Sequence, residues 1–372
     1  MQTTVKDVIR VFEEWVSPNL AMEGDKIGLQ IGNPANLVSK ILVTLDVTEE
    51  VVDEAIQAGA QLIVAHHAII YTSIKRIRTD SYYGRTIARL LANDIAVYVA
   101  HTNLDIAEGG VNDVLAELFG LQDVEILDRL HNLRLKKLVV FVPKDHHEQV
   151  LEAVCSAGAG WIGNYSHCTF NTSGTGTFKP EEGTNPFIGE KGKLERVEEV
   201  RLETIVPETS QEAVVRAMLA AHPYEEVAYD LYPLEIMGKP YGIGRVGTLE
   251  REYRLAEFAQ YVKSKLGVPG IRIVGDRNNQ IKKVAIVGGS GSEWIDASVG
   301  HGADVLITAD LKYHDAQDAL FKGLSLIDPG HNGMERIVVP VVANFFNQKF
   351  KELNWNTEAV SSRVLTEPFD FL

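Results

Sequence analysis

The 372-residue sequence predicts an α/β fold: two related α/β lobes forming a dinuclear metal cleft, with an α+β domain inserted between them. Three observations carry the fold. Strand-like apolar runs alternate with helix-period segments over residues 41–119, which implies parallel strands joined by right-handed crossovers. Near residue 130 that pattern gives way to segments rich in Gly, Thr and Ser, and it resumes near Gly242. Finally, GADVLITAD at 302–310 repeats GAQLIVAHH at 59–67 in pattern and register, an internal echo expected of related units. The implied boundaries are 1–128, 129–238 and 239–372, consistent with a prior of ~100–200 residues per domain.

Taken in order, Val5, Val8, Ile9, Phe12 and Val16 lie at helical spacing behind a Thr3 or Thr4 cap. Residues 23–32 (GDKIGLQIG from Gly24) form a polar, Gly-bearing loop; no strand precedes it and no Gly-Lys-Thr/Ser ends it, so it lacks a phosphate-loop signature. Residues 41–45 form a strand ending at Asp46. Thr48 caps a helix over 49–58, Gly59 stops it, and 61–65 is the next strand, running into His66 and His67. A helix over 83–93 and a strand over 95–100 lead to His101 and Asp105, and a helix over 111–119 closes the block. In the middle block, strands over 135–142, 197–205 and 228–233 and helices over 148–155 and 212–222 surround a hairpin-like region at 158–193. There His146 and His147 open a helix among acidic neighbours, which points to a surface doublet. His222-Pro-Tyr224-Glu225-Glu226 is the block's most distinctive motif, suited to a packed turn between helix and strand more than to the alternative of binding a small ligand or gating the metals. In the last block a strand over 283–288 meets a Gly/Ser-rich turn at 288–292, in the manner of an anion cradle. A helix follows at 313, a strand at 324–327, and then a helix start carrying His331 and Glu335 on one face.

Composition narrows the function. Lys and Arg number 36 against 51 Asp and Glu, a net charge of −15, so the average surface repels nucleic-acid phosphate and anionic lipid. The basic stretch Lys75-Arg76-Ile77-Arg78 fits a solvated loop. No secretory leader pattern opens the chain and no run of ~18 apolar residues occurs, so a soluble cytoplasmic protein is expected. Cys155 and Cys168 are the only cysteines, too few for a disulfide framework or a thiolate-built zinc site, and both are expected to be buried.

Histidine and carboxylate at three places, His66/His67, His101/Asp105 and His331/Glu335, supply enough ligands for a centre of two divalent ions: zinc first, with iron, manganese or nickel as alternatives. Such a pair, ~3.5–4 Å apart, generates a hydroxide nucleophile at neutral pH and polarises a substrate atom, so hydrolysis is the expected chemistry. The other class to weigh is a non-enzymatic metal-binding or metal-delivery protein whose inserted domain senses a small molecule.

VAHHAI, HTNLD, GHNGMER and GDKIGLQIG resemble the GTP cyclohydrolase 1 type 2 homolog (NIF-three-like) family, across both outer blocks. The resemblance implies a toroidal homohexamer and a metal-dependent hydrolase acting on a small molecule such as a nucleotide. By it, His66 and His331 hold one ion, His67 and Asp105 the other, Glu335 bridges them, and His101 and His314 stand beside them as candidate proton carriers. The middle block resembles the inserted PII/CutA-like domain of the longer bacterial members.

Overall fold

A capping box starts the first helix, α1 (Val5–Trp15): Asp7 donates its backbone N–H to the Thr4 hydroxyl, and its carboxylate accepts the N–H of Thr4 at 3.0 Å. In the computed structural model, which describes residues 3–370, a short 3-10 turn at Pro18–Leu20 leads to a strand, β1 (Gly28–Ile31), inside the segment expected to be a loop. Leu29 and Ile31 alternate with Gln30, and that short period-2 run suffices because β4 offers it an edge to pair with. There follow β2 (Lys40–Thr44), α2 (Glu49–Ala58), β3 (Leu62–Ala65), α3 (Tyr82–Ala92), β4 (Ala96–Val99), α4 (Thr102–Ile106), α5 (Val111–Leu118) and β5 (Gln122–Asn132). Thr48 caps α2 through the Val51 N–H, and the left-handed Gly59 ends it.

The middle of the chain contributes β6 (Leu135–Pro143), α6 (His147–Ser156), β7 (Thr169–Phe178), β8 (Glu195–Pro207), α7 (Gln211–Ala221) and β9 (Tyr229–Pro233). The last stretch contributes β10 (Pro240–Arg254), α8 (Leu255–Leu266), β11 (Arg272–Val274), β12 (Gln280–Ser290), α9 (Ile295–Gly300), β13 (Val305–Ala309), α10 (Tyr313–Phe321), β14 (Ser325–Asp328), α11 (His331–Glu335), α12 (Val338–Glu352) and β15 (Glu358–Ser361). Among the described residues no helix is long and apolar enough to cross a membrane.

The chain divides at residues 130 and 240 into two units, the first built from both outer stretches and the second from His131–Pro240. The first unit carries two sheets. One runs β1-β4-β3-β2-β15, with β15, β2, β3 and β4 parallel and β1 antiparallel at the edge. The other runs β11-β14-β13-β12-β10-β5, with β12, β13 and β14 parallel at its centre. The echo between residues 59–67 and 302–310 corresponds to β3 and β13, each preceded by a glycine at φ 68°.

The outer stretches do not keep to one sheet each. β15 joins the first sheet from the chain's end, and β5 joins the second from the first stretch. Their shared core includes Phe12 of α1, 5.0 Å between ring centroids from Phe346 of α12 and 6.0 Å from Tyr98 of β4. Truncating such a residue costs roughly 3–5 kcal/mol.

The second unit has the order β6-α6-β7-β8-α7-β9 and one antiparallel sheet, β7-β8-β6-β9, which is the ferredoxin-like split βαβ arrangement. Leu138, Val140, Leu202, Val150, Val214 and Met218 form its core. The expected hairpin region at 158–193 is one long strand, β7, flanked by two loops. Cys155 is buried, Cys168 half-buried rather than buried, and both are free.

Candidate metal centre

Parallel register brings the polar ends of neighbouring strands together. Thr44 of β2 is level with Ala65 of β3, and Ala65 with Val99 of β4, so Asp46, His66/His67 and His101 emerge side by side. Beyond the end of β3, the N–H groups of His66 and His67 bond the carbonyls of Thr44 and Leu45, and the two rings lie 5.0 Å apart. From the second sheet, α11 follows β14 directly and presents His331 and Glu335 one turn apart.

Each of the four imidazoles is oriented by an acceptor at Nδ1: the Ala100 carbonyl for His66 at 2.8 Å, Asp46 for His67 at 2.7 Å, Asp25 for His101 at 2.9 Å and Asp310 for His331 at 2.7 Å. With Nδ1–H donating, Nε2 of a neutral ring presents a lone pair. Three of these nitrogens converge on one carboxylate oxygen. Glu335 Oε2 lies 2.9 Å from Nε2 of His67, 2.9 Å from Nε2 of His331 and 3.8 Å from Nε2 of His66; Asp105 Oδ1 lies 3.7 Å from the last.

Three ligand groups result: His67/His331/Glu335, His66/Asp105/Glu335 and His66/His67/His101. His66 Nε2, Asp105 Oδ1, His331 Nε2 and Glu335 Oε2 are all buried with no hydrogen-bond partner. Lone pairs facing lone pairs at such distances are stable only with a proton or a cation between them. A mixed nitrogen and oxygen set of this kind fits divalent ions of the zinc, iron and manganese type.

The charge balance says the same. Burial opposes an imidazolium at His67, but Asp46 and Glu335 outweigh it and push the group up to about 10. His331 is pushed up to about 9 against the same burial penalty, by Glu335 and Asp310. Asp105 is raised to about 6 by burial and by the nearby Glu335. Glu335 is held well below the usual carboxylate range despite its burial, because His331, His66 and His67 surround it. These residues favour positive charge in their midst, and metal ions are the alternative to protons.

Gly289, near the end of β12, completes the pocket around Glu335. Its φ is 62°, and a Cβ there would lie 2.2 Å from Glu335 Oε1 and 3.2 Å from His331 Nε2. The Gly/Ser run of 288–292 therefore makes room for the protein's own carboxylate. Behind the site, Asn112 of α5 donates to the Asp105 carbonyl and accepts the Gly288 N–H, tying α4 to β12.

Of the residues singled out from sequence, His66, His67, His101, Asp105, His331 and Glu335 come together. The grouping differs from the resemblance-derived one: His331 stands with His67, and Asp105 with His66. The reason is that His67 reaches past the strand end toward α11, while His66 turns back toward α4. His314 is exposed on α10 with its ring against Tyr313 and belongs to none of the three groups. Sequence reasoning did not assign roles to Asp25, Asp46 and Asp310; a carboxylate ending β2 or β13 beside a histidine-bearing strand end was the available signal. The doublet His146/His147, expected on the surface, is half-buried, with His147 Nε2 2.9 Å from Asn171 Oδ1.

His66, Asp105 and Glu335 are buried, whereas His67 and His331 border a cavity of about 640 Å3. Arg272, paired with Asp328, and Phe369 also line it, and the Thr366 hydroxyl there donates to Asp46.

A family model described as Duf34/NIF3 (NGG1p interacting factor 3) matches residues 3–368. A GTP cyclohydrolase 1 type 2 homolog of Halalkalibacterium halodurans is 51% identical over 365 residues, covering 98% of each chain. One from Bacillus subtilis is 49% identical over 367 residues, covering 99% of this chain and 98% of its own. Among solved structures, a Bacillus cereus protein related to NIF3 matches with a TM-score of 0.92 and 49% identity over 100% of both chains.

Proposed function

The chain belongs to the Duf34/NIF3 family, and from that premise we propose that it is a dinuclear metal-dependent hydrolase of a nucleotide or another small C–N or phosphoester compound. One observation carries the reading: the His67/His331 pair and the His66/Asp105 pair share Glu335, and the atoms directed at the space between them are buried without partners. Two divalent ions, zinc first, would supply Lewis acidity and a nucleophile at neutral pH. His67 and His331 would hold one ion, His66 and Asp105 the other, with Glu335 common to both. His101, oriented by Asp25, would carry a proton at Nε2. The 640 Å3 cavity is within the range that takes a small molecule, and Arg272 on its wall suits an anionic group. The reading includes a cytoplasmic toroidal homohexamer, expected to scatter light as six times the 41.1 kDa chain, and a PII/CutA-like plan for the second unit.

The test is turnover by zinc-replete protein against GTP, phosphoesters and cyclic amides. Asp105→Ala and Glu335→Gln should each lower the rate roughly 100-fold or more. Turnover that survives both changes would overturn the mechanism. No turnover on any substrate, together with rapid metal exchange, would favour a metal-delivery protein instead.

A further inference from the structure

The second unit contains a cavity of about 360 Å3 that the metal chemistry does not use. Aromatic rings on its wall include Phe178 at the end of β7, Phe187 in the connection to β8, and Tyr224 three residues beyond α7. The rings of Phe178 and Phe187 lie 5.7 and 6.4 Å from that of Tyr224, inclined to it by 61° and 52°. Neither ring therefore stacks face to face on Tyr224.

Glu199 of β8 lies on the same wall and is only 8% exposed. Its Oε1 accepts the Tyr224 hydroxyl at 3.1 Å, while Oε2 has no hydrogen bond among the described residues. Gly176 of β7 leaves space for that second oxygen, since a Cβ there would lie 1.9 Å from it. Among the described residues no Lys, Arg or His pairs with Glu199: Lys179 on the same wall is 3.2 Å from Glu181, and Lys144 reaches Glu198. Burial and the adjacent carboxylate raise the Tyr224 hydroxyl, which keeps it a donor. With one oxygen bonded to a phenol and the other open to the cavity, Glu199 presents a negative charge that a bound cation would neutralise. Glu225 and Glu226 on the wall add to the negative balance that Lys179 alone opposes.

We propose that this cavity binds an organic cation, an alkylammonium group seated among Phe178, Phe187 and Tyr224 with its charge toward Glu199. The faces of aromatic rings attract such a cation, and a carboxylate anchors it. A hard metal ion prefers oxygens converging on one point, whereas much of this wall is made of Phe178, Phe187 and Tyr224, whose rings offer a soft apolar surface to an organic cation. An anion would meet Glu199 head on. Neutral apolar ligands would leave that carboxylate without compensation.

Calorimetric titration of the full-length protein tests this with choline, tetramethylammonium and n-butylammonium, and with choline's neutral tert-butyl isostere as control. At least one cation should bind saturably, about tenfold or more tighter than the isostere. Glu199→Gln should weaken the cation about tenfold and leave the isostere unchanged. Phe187→Ala, at a side chain 54% exposed and so tolerant of truncation, should weaken it several-fold and keeps the test open if Glu199→Gln fails to fold. The zinc content of the first unit should not change in either variant. The proposal is overturned if none of the three cations binds, if the isostere binds equally well, or if zinc or calcium displaces the cation in a Glu199-dependent way.

Discussion

His66-His67 and His146-His147 are the same dipeptide with different surroundings. The first pair leaves a parallel strand whose neighbours end in Asp46 and His101, and Glu335 lies 2.9 Å from His67 Nε2. The second pair opens α6 on an antiparallel sheet; His146 packs on Phe187 at 5.4 Å and His147 bonds Asn171. Neither joins a ligand group among the described residues. A histidine becomes a candidate ligand when several strand ends point one way and deliver carboxylates to it. Parallel topology does that, whereas an antiparallel sheet distributes its strand ends to both edges.

Removing the shared carboxylate should have the largest effect. Glu335→Ala is expected to lower affinity for both ions by more than about 100-fold, read as metal content by mass spectrometry; retention of two equivalents would break the comparison. Next comes Gly289→Ala, which forces a Cβ against Glu335 Oε1 at a left-handed position. It should lower stability by about 1–3 kcal/mol in denaturant titration and displace metal, while unchanged stability and metal content would mean that the glycine is not needed.

Asp46→Asn leaves the six grouped residues in place and removes the charge that orients His67 and also accepts the Thr366 hydroxyl. A loss of roughly 10–100-fold in affinity for one ion is expected in competition with a chelating dye, with the other ion retained. Equal loss of both would show that the two groups do not separate as drawn. The smallest effect belongs to the double variant His146→Ala/His147→Ala. Metal content should stay at the wild-type value, and the lost bond to Asn171 should cost about 1 kcal/mol in thermal unfolding. Metal loss here would erase the contrast between the two doublets.

Much of the frame was legible without coordinates. Period-2 and period-3.6 patterns located β2, α2, β3, α3 and β4 to within a residue or two, because each buries one face or both against a layer of its own sheet. The β1 segment reads as a loop in the sequence because three alternating residues among glycines carry little periodic signal until β4 pairs with them. Equally, β5 and β15 declare nothing locally about the sheet they enter. Their partners lie far along the chain: Ala359 aligns with Ile41.

The sequence by itself determined that His66, His67, His101, His331 and Glu335 stand at strand ends or a helix start, since alternation and helical spacing are local properties of the chain. Tertiary structure alone decided that His67 stands with His331 and His66 with Asp105, that Asp25, Asp46 and Asp310 orient three of the rings, and that Gly289 makes room for Glu335. Those relations join residues that are far apart in sequence or belong to different sheets. Their distances follow from strand register within a sheet and from how the two sheets pack, which no periodicity along the chain encodes.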